Sequence, residues 1–262
     1  MPTPTLRQRG AVLAAVTLGT IGILCAVLLP TSAAPGALLS APPRGEGAHD
    51  TGFEVAGDGS LPTTAPRLGA PNEPLSSAEV GYAVHLARTA MPADAQDVVG
   101  EPGGEVLTAD LPPLAARTAA RLVAVAIYDY TTDRLHELVL DLTHRTVLSD
   151  QSVRGLQLPP TEAETTIALD LAMKADPALA FVREYENTTG NPLLTRDQLH
   201  AVAGVWRPVA PSTVGATAAC GPHRCLQLLL GMPSGQYLGT QDFAVDLSAR
   251  SILRVQESDN EH

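Results

Sequence analysis

The 262-residue chain has few aromatic residues, few cysteines and almost no lysine. Aromatic residues make up 3% of it, one lysine stands beside sixteen arginines, and there are three cysteines. The 28 acidic residues outnumber the 17 basic ones, so nucleic acid is not an expected partner, because binding phosphates requires an excess of positive charge. The 22 glycines and 22 prolines, with no fixed period, exclude a collagen, a coiled coil or a multi-span membrane protein. What remains is globular: 45% of residues are apolar, enough for one large or two small cores.

An export signal is predicted at the N-terminus. Arg7 and Arg9 precede an uncharged run at residues 10–29, and small residues follow at 31–33. The run approaches the ~20 residues that cross a bilayer as a helix, so residues 1–33 are either a cleaved signal peptide or a signal anchor. Gln8 separates the two arginines, which leaves both the Sec route and a Tat-like route open. We therefore expect an extracytoplasmic protein, secreted or anchored to the cell membrane by residues 10–29.

The next segment is predicted to be a disordered tether. Residues 34–73 are rich in proline and glycine and have little periodic apolar content. Residues 256–262 form a short acidic tail. The folded part is therefore expected at residues 74–255.

Two sites in this part have the spacing of a capping box, which marks the start of a helix. Ser76 precedes Glu79 by three residues, and Thr161 precedes Glu164 by three. A further helix is predicted to open at the Asp-Pro pair 176–177, since proline at the first helical position loses no hydrogen bond. Apolar, alternating segments predict antiparallel strands at residues 105–111, 121–130, 135–148, 199–206, 225–231 and 237–253.

An internal match indicates a duplication. Residues 139–148 (VLDLTHRTVL) align with residues 244–253 (AVDLSARSIL), with Asp, Leu and Arg in register. Each stretch follows an apolar strand and a turn, with two extra residues in the second copy. The predicted fold class is therefore α+β: two tandem units at residues 74–158 and 159–255, each a helix packed on a three- or four-stranded antiparallel sheet.

These residues resemble the cystatin-like N-terminal domain pair of copper amine oxidases over residues 74–255. The family's P-L-[ST]-x-x-E helix start stands at residues 74–79 and its Asp-rich strand pair at 129–142. Its connector is at 154–159, its T-x-x-E second start at 161–164 and its A-D-P at 175–177. The resemblance implies two non-catalytic domains without the large catalytic β-sandwich.

The oxidase chemistry of that family needs a tyrosine in an N-Y-[DE] context, which becomes a quinone, and a His-x-His pair with a third histidine on copper. Tyr128 lacks the asparagine, and no His-x-His occurs among the seven histidines. His136 and His144 are predicted to lie about 26 Å apart along one strand face, too far to share an ion. Glu162 with Glu164, and Glu184 with Glu186, are spaced for different helix faces and are predicted to be solvated. We expect no catalytic residue, no metal site and no cofactor.

One cluster carries chemistry of its own. Cys220 and Cys225 lie five positions apart in an exported chain and are predicted to form a disulfide. Two other interpretations stay open: a metal site formed by Cys220, His223 and Cys225, and a catalytic cysteine with His223 as its base.

The predicted function is that of a non-catalytic binding or accessory protein acting on an unknown extracytoplasmic protein. The alternative is an orphaned amine-oxidase relative that retains copper or quinone binding. A protease inhibitor is a third class that the cystatin-like scaffold accommodates, but the Gln-x-Val-x-Gly wedge of those inhibitors is not in the sequence.

Overall fold

A computed structural model describes residues 61–175, 178–208 and 216–255. The predicted export signal at residues 1–33, the tether up to residue 60, the Asp-Pro pair 176–177 and the acidic tail at 256–262 lie outside the described residues. In the described part, no helix is both long and apolar enough to cross a membrane.

The first helix–sheet unit consists of one helix on a four-stranded antiparallel meander. Helix α1 packs on three of the four strands, which follow one another in the order β1-β2-β3-β4. The elements are α1 (Ser77–Ala90), β1 (Glu105–Asp110), β2 (Leu122–Asp129), β3 (Arg134–Asp141) and β4 (Thr146–Arg154). The core between helix and sheet is apolar and includes Tyr82, Val125, Ile127, Leu138 and Leu140.

The second unit has two helices and a five-stranded antiparallel sheet in the order β5-β6-β8-β9, with β7 paired to β6. Its elements are α2 (Glu162–Met173), α3 (Ala180–Thr189), β5 (His200–Val205), β6 (Cys225–Gly231), β7 (Tyr237–Leu238), β8 (Phe243–Asp246) and β9 (Ser251–Arg254). Helix α2 lies across β5, β6, β8 and β9. The two sheets and three α-helices of the described residues confirm the predicted α+β class, but the second sheet has five strands rather than the predicted three or four.

Both predicted capping boxes form. The Ser76 hydroxyl accepts a hydrogen bond from the Glu79 N–H, and the Glu79 side chain accepts one from the Ser76 N–H. Thr161 and Glu164 make the same pair of bonds at the start of α2. The three-residue spacing alone therefore predicts both helix starts.

Three predicted boundaries are wrong. The stretch 135–148 is two strands, because β3 ends at Asp141 and the chain turns back before Thr146. The stretch 237–253 is three strands. Gly239 and Thr240 turn away from β7 to bond Glu184 and the Leu228 carbonyl, and the chain turns again after Asp246, whose carboxylate accepts from the Ala249 N–H. Helix α3 begins at Ala180, after the Asp-Pro pair, with extended Leu179 as its N-cap. Leu179 is fully buried, so core packing sets that helix start.

The described end of the predicted tether is packed against the first unit. Ala65 and Leu68 contact the core beneath α1, and the Gly69 N–H donates to the Glu79 carboxylate over 2.9 Å. Residues 61–73 therefore belong to the folded part. The hydrogen bond from Gly69 to the buried Glu79 carboxylate could not be predicted from amino-acid composition.

The two aligned segments adopt the same turn. In each, an aspartate ends a strand and its carboxylate accepts backbone N–H bonds: Asp141 from Thr143 and His144, and Asp246 from Ala249. Arg145 and Arg250 both have positive φ, 58° and 50°. This shared geometry supports the duplication that the sequence alignment predicts.

Candidate functional site

Each unit contains a buried ion pair that begins at its capping-box glutamate. In the first unit, the Arg121 guanidinium donates two hydrogen bonds to Glu79, of 2.7 and 2.9 Å, and both side chains are about 2% exposed. The same guanidinium donates to the carbonyls of Ala70, Glu73 and Pro74. Arg121 thereby fixes the segment that leads into α1, and its bonds hold the pKa of the Glu79 carboxyl at about 2, against an ordinary 4.5.

The second unit repeats this arrangement with Glu164 and Arg224, both fully buried. The Arg224 guanidinium bonds both oxygens of Glu164 and also the carbonyls of Leu158 and Pro159. Burial alone would lower the pKa of Arg224, but its bonds to Glu164 outweigh burial and raise that pKa. The prediction that Glu164 is solvated is wrong, because Arg224 approaches from 60 residues away along the chain; Glu162 beside it is exposed.

The two arginines are equivalent. The Arg121 carbonyl accepts from the Leu142 N–H, and the Arg224 carbonyl accepts from the Leu247 N–H, which are matching residues of the duplicated segment. Sequence reasoning missed both arginines. Extending the alignment backwards, with the two extra residues of the second copy, would have paired them.

The second ion pair also touches the first unit, and we call this contact region the junction. The Tyr130 hydroxyl donates to Glu164 over 2.6 Å, and the Arg224 guanidinium lies 5.3 Å from the centre of the Tyr128 ring. Burial raises the pKa of both phenols, with further increases from Asp133 at Tyr128 and Glu164 at Tyr130. Both tyrosines thus serve the junction as neutral, packed rings.

Glu105 lies at the same junction. It is 7% exposed, and it accepts a 2.8 Å bond from the hydroxyl of Thr161, the N-cap residue of α2. Burial raises the pKa of the Glu105 carboxyl, and the nearby charge of Glu164 adds to that rise. None of the hydrogen bonds that the described residues donate to Glu105 comes from a cationic side chain.

The predicted disulfide between Cys220 and Cys225 is present, and both cysteines are buried. It closes a loop that contains His223 and Arg224. The Gln157 side chain, from the connector between the units, donates to the carbonyls of Gly221 and His223. Because both sulfurs are bonded to each other, neither is a thiolate for a metal or a nucleophile here.

His223 stands between carboxylates of both units. Its Nδ1 lies 2.8 Å from Asp246 of β8, and its Nε2 lies 3.8 Å from Asp133 of the β2–β3 turn. Asp133 also accepts a bond from the Tyr128 hydroxyl and lies 3.9 Å from Arg154. The His223 side chain is 31% exposed, so solvent reaches it.

The remaining candidate residues are dispersed. His136 of β3 contacts Asp150, whereas His144 lies in the β3–β4 turn against Asp141, not along one strand as predicted. Glu184 is half-buried and accepts from Gly239, so it is not simply solvated, whereas Glu186 is exposed. Among residues 61–175, 178–208 and 216–255, no three His, Cys, Asp or Glu side chains are grouped to hold a metal ion.

The back of the second sheet exposes three large apolar side chains. Val202 is 63% exposed on β5, Leu229 is 49% exposed on β6 and Tyr237 is 64% exposed on β7. Val202 lies opposite Leu229, and Tyr237 lies opposite Gly231 of β6. We call these three residues the apolar row. Strand β5 is an edge of this sheet and contains neither proline nor an acidic or basic residue other than His200.

Fold and site define an α+β protein of two helix–sheet units in which buried Glu–Arg pairs and one disulfide organise the contacts. No protein-family model and no curated protein matches the chain. A solved structure that is similar is a copper-containing benzylamine oxidase from Hansenula polymorpha, with 14% sequence identity and a TM-score of 0.43. The match covers 70% of this chain and 29% of that oxidase, so the chain spans less than a third of its length.

Proposed function

We propose that this chain is an exported, non-catalytic binding or accessory protein. The observation that carries the proposal is that its potentially reactive side chains are bonded to, or packed against, other residues of the protein. Cys220 and Cys225 bond each other, Tyr128 and Tyr130 pack into the junction, and His223 sits between two carboxylates. Groups that could perform chemistry are thus engaged in a disulfide within the second unit or in contacts between the two units. The disulfide and the predicted export signal support an oxidising, extracytoplasmic location.

The binding surface that we propose is the β5 edge beside Val202, and its occupant is an extended strand of another extracytoplasmic protein. Natural edge strands are protected by charge, proline or a bulge, and β5 has no such protection apart from His200. A stable dimer buries about 800 Å² per partner. The exposed surface area of the apolar row is only about half of that value, even if a partner covers all of it. Strand addition, which gains main-chain hydrogen bonds as well, therefore fits this surface better than packing of the apolar row against the same face of a second copy.

Site-specific photocrosslinking of the full chain in its native host tests this proposal. A photoreactive residue at position 202 should give a defined adduct with a second extracytoplasmic protein, mapped to an extended segment of it. The matched control is position 147, because Val147 is 40% exposed on the edge strand β4 of the other sheet. Equal adducts from both positions, an adduct with a second copy of the chain, or no adduct at position 202 would each contradict the assignment.

A further inference from the structure

The junction contains one histidine whose two ring nitrogens face different units. His223 Nδ1 is within hydrogen-bond distance of Asp246, which belongs to the same unit, while Nε2 is directed at Asp133 across the junction. A neutral imidazole carries one N–H, so it can bond Asp246 without a charge. A protonated imidazole carries two, and its charge then attracts Asp133 as well.

We propose that His223 is a pH-dependent cross-link between the two helix–sheet units, made on protonation and released on deprotonation. The groups that face it are Asp246 from β8 and Asp133 from the β2–β3 turn. Asp133 in turn contacts the Tyr128 hydroxyl of β2 and Arg154 of β4. The neighbouring cation, Arg224, is neutralised by Glu164 and stacked on the Tyr128 ring.

The covalent and polar setting of His223 makes its position well defined. The disulfide closes the loop, the backbone N–H of His223 donates to the Ala219 carbonyl, and the Gln157 side chain donates to two loop carbonyls. Asp133 is held at positive φ, 54°, by the tight β2–β3 turn. The histidine and the carboxylate are therefore presented to each other by constrained backbone, so adding a proton acts on a geometry that is already in place.

A second junction group acts in the same direction. Burial raises the pKa of Glu105, which accepts a hydrogen bond from the N-cap residue of α2, so the ionised form of Glu105 is disfavoured at the contact between the units. Ionisation of Glu105 therefore also weakens the junction as pH rises. The two contributions are separable, because Glu105 and His223 lie on different elements and can be substituted one at a time.

Hydrogen–deuterium exchange on the full chain at pH 5.5 and pH 8.0, corrected for intrinsic exchange, tests the cross-link. Protection of the β2–β3 turn and the 220–225 loop should fall roughly two- to fivefold at the higher pH, the range of a partly exposed ion pair. His223→Gln and Asp133→Asn should each abolish that dependence. Asparagine tolerates positive φ, so the second variant preserves the turn.

The matched control is His144→Gln, which removes a histidine bonded to Asp141, the residue equivalent to Asp246, within a single unit. It should leave the pH dependence of the junction unchanged. Persistence of the dependence in both His223→Gln and Asp133→Asn overturns the proposal. So does its disappearance in Glu105→Gln alone, which would assign the effect to that carboxyl.

Discussion

Removing the Glu79 carboxylate should destabilise the protein at neutral pH much more than in acid. The Arg121 guanidinium holds the pKa of Glu79 at about 2, against 4.5 ordinarily. Each tenfold change in proton affinity is worth about 1.4 kcal/mol, so the difference contributes about 3 kcal/mol to folding at pH 7. Because the folded pKa is the lower one, this contribution is complete above pH 4.5 and is lost as pH falls through 2. About 1 kcal/mol of it remains at pH 3.

Urea denaturation of Glu79→Gln, followed by circular dichroism at pH 7 and pH 3, measures both values. We expect the free energy of unfolding to fall by about 3 kcal/mol at pH 7 and by about 1 kcal/mol at pH 3. Glu137→Gln is the control, because Glu137 is exposed on β3 and should cost little at either pH. Equal losses for Glu79→Gln at the two pH values would refute the assigned pairing, as would no loss at pH 7.

Three further results are expected. Glu105→Gln should raise the melting temperature at pH 7 but not at pH 4, because burial raises the pKa of this carboxyl and makes its ionised form costly at the higher pH. A stabilisation of equal size at pH 4 would contradict this. Leu142→Asp and Leu247→Asp should each lower the free energy of unfolding by several kcal/mol in calorimetry, because both leucines are at most 2% exposed and each aspartate would be buried. Unfolding of either variant at the parent temperature would contradict the repeat alignment. In exported protein, Cys220 and Cys225 should resist maleimide labelling under non-reducing, denaturing conditions, and their disulfide should add on the order of 2 kcal/mol to the free energy of unfolding. Full labelling of both thiols would exclude the disulfide.

Local patterns in the sequence predicted the parts of this fold that local interactions determine. Both capping boxes are three-residue patterns whose partners lie within one helical turn, and both form. Strand β6 was predicted at its observed bounds, because its apolar run is flanked by turn residues on both sides. The strands at 135–148 and 237–253 were joined in error, since their apolar pattern continues through turns that Asp141 and Asp246 impose with side-chain bonds.

The candidate site depends on partners far apart in sequence, which a single sequence does not reveal. Glu164 has the same local pattern as any capping-box glutamate; Arg224, 60 residues later, determines that it is buried. Asp133 and His223 likewise meet only because the two units pack together. The alignment of residues 139–148 with 244–253 contained a usable signal, because extending it pairs Arg121 with Arg224. The division into two independently folding domains at residues 158 and 159 stays a prediction.

Metal analysis combined with an amine-oxidase assay on one sample of the purified full chain tests most directly whether its reactive side chains serve structure. The account predicts no stoichiometric copper after chelator washing, no stain for a protein-bound quinone and no amine-dependent peroxide. One copper per chain that survives the washing, together with peroxide released on adding an amine, would contradict it and favour the copper- or quinone-binding alternative.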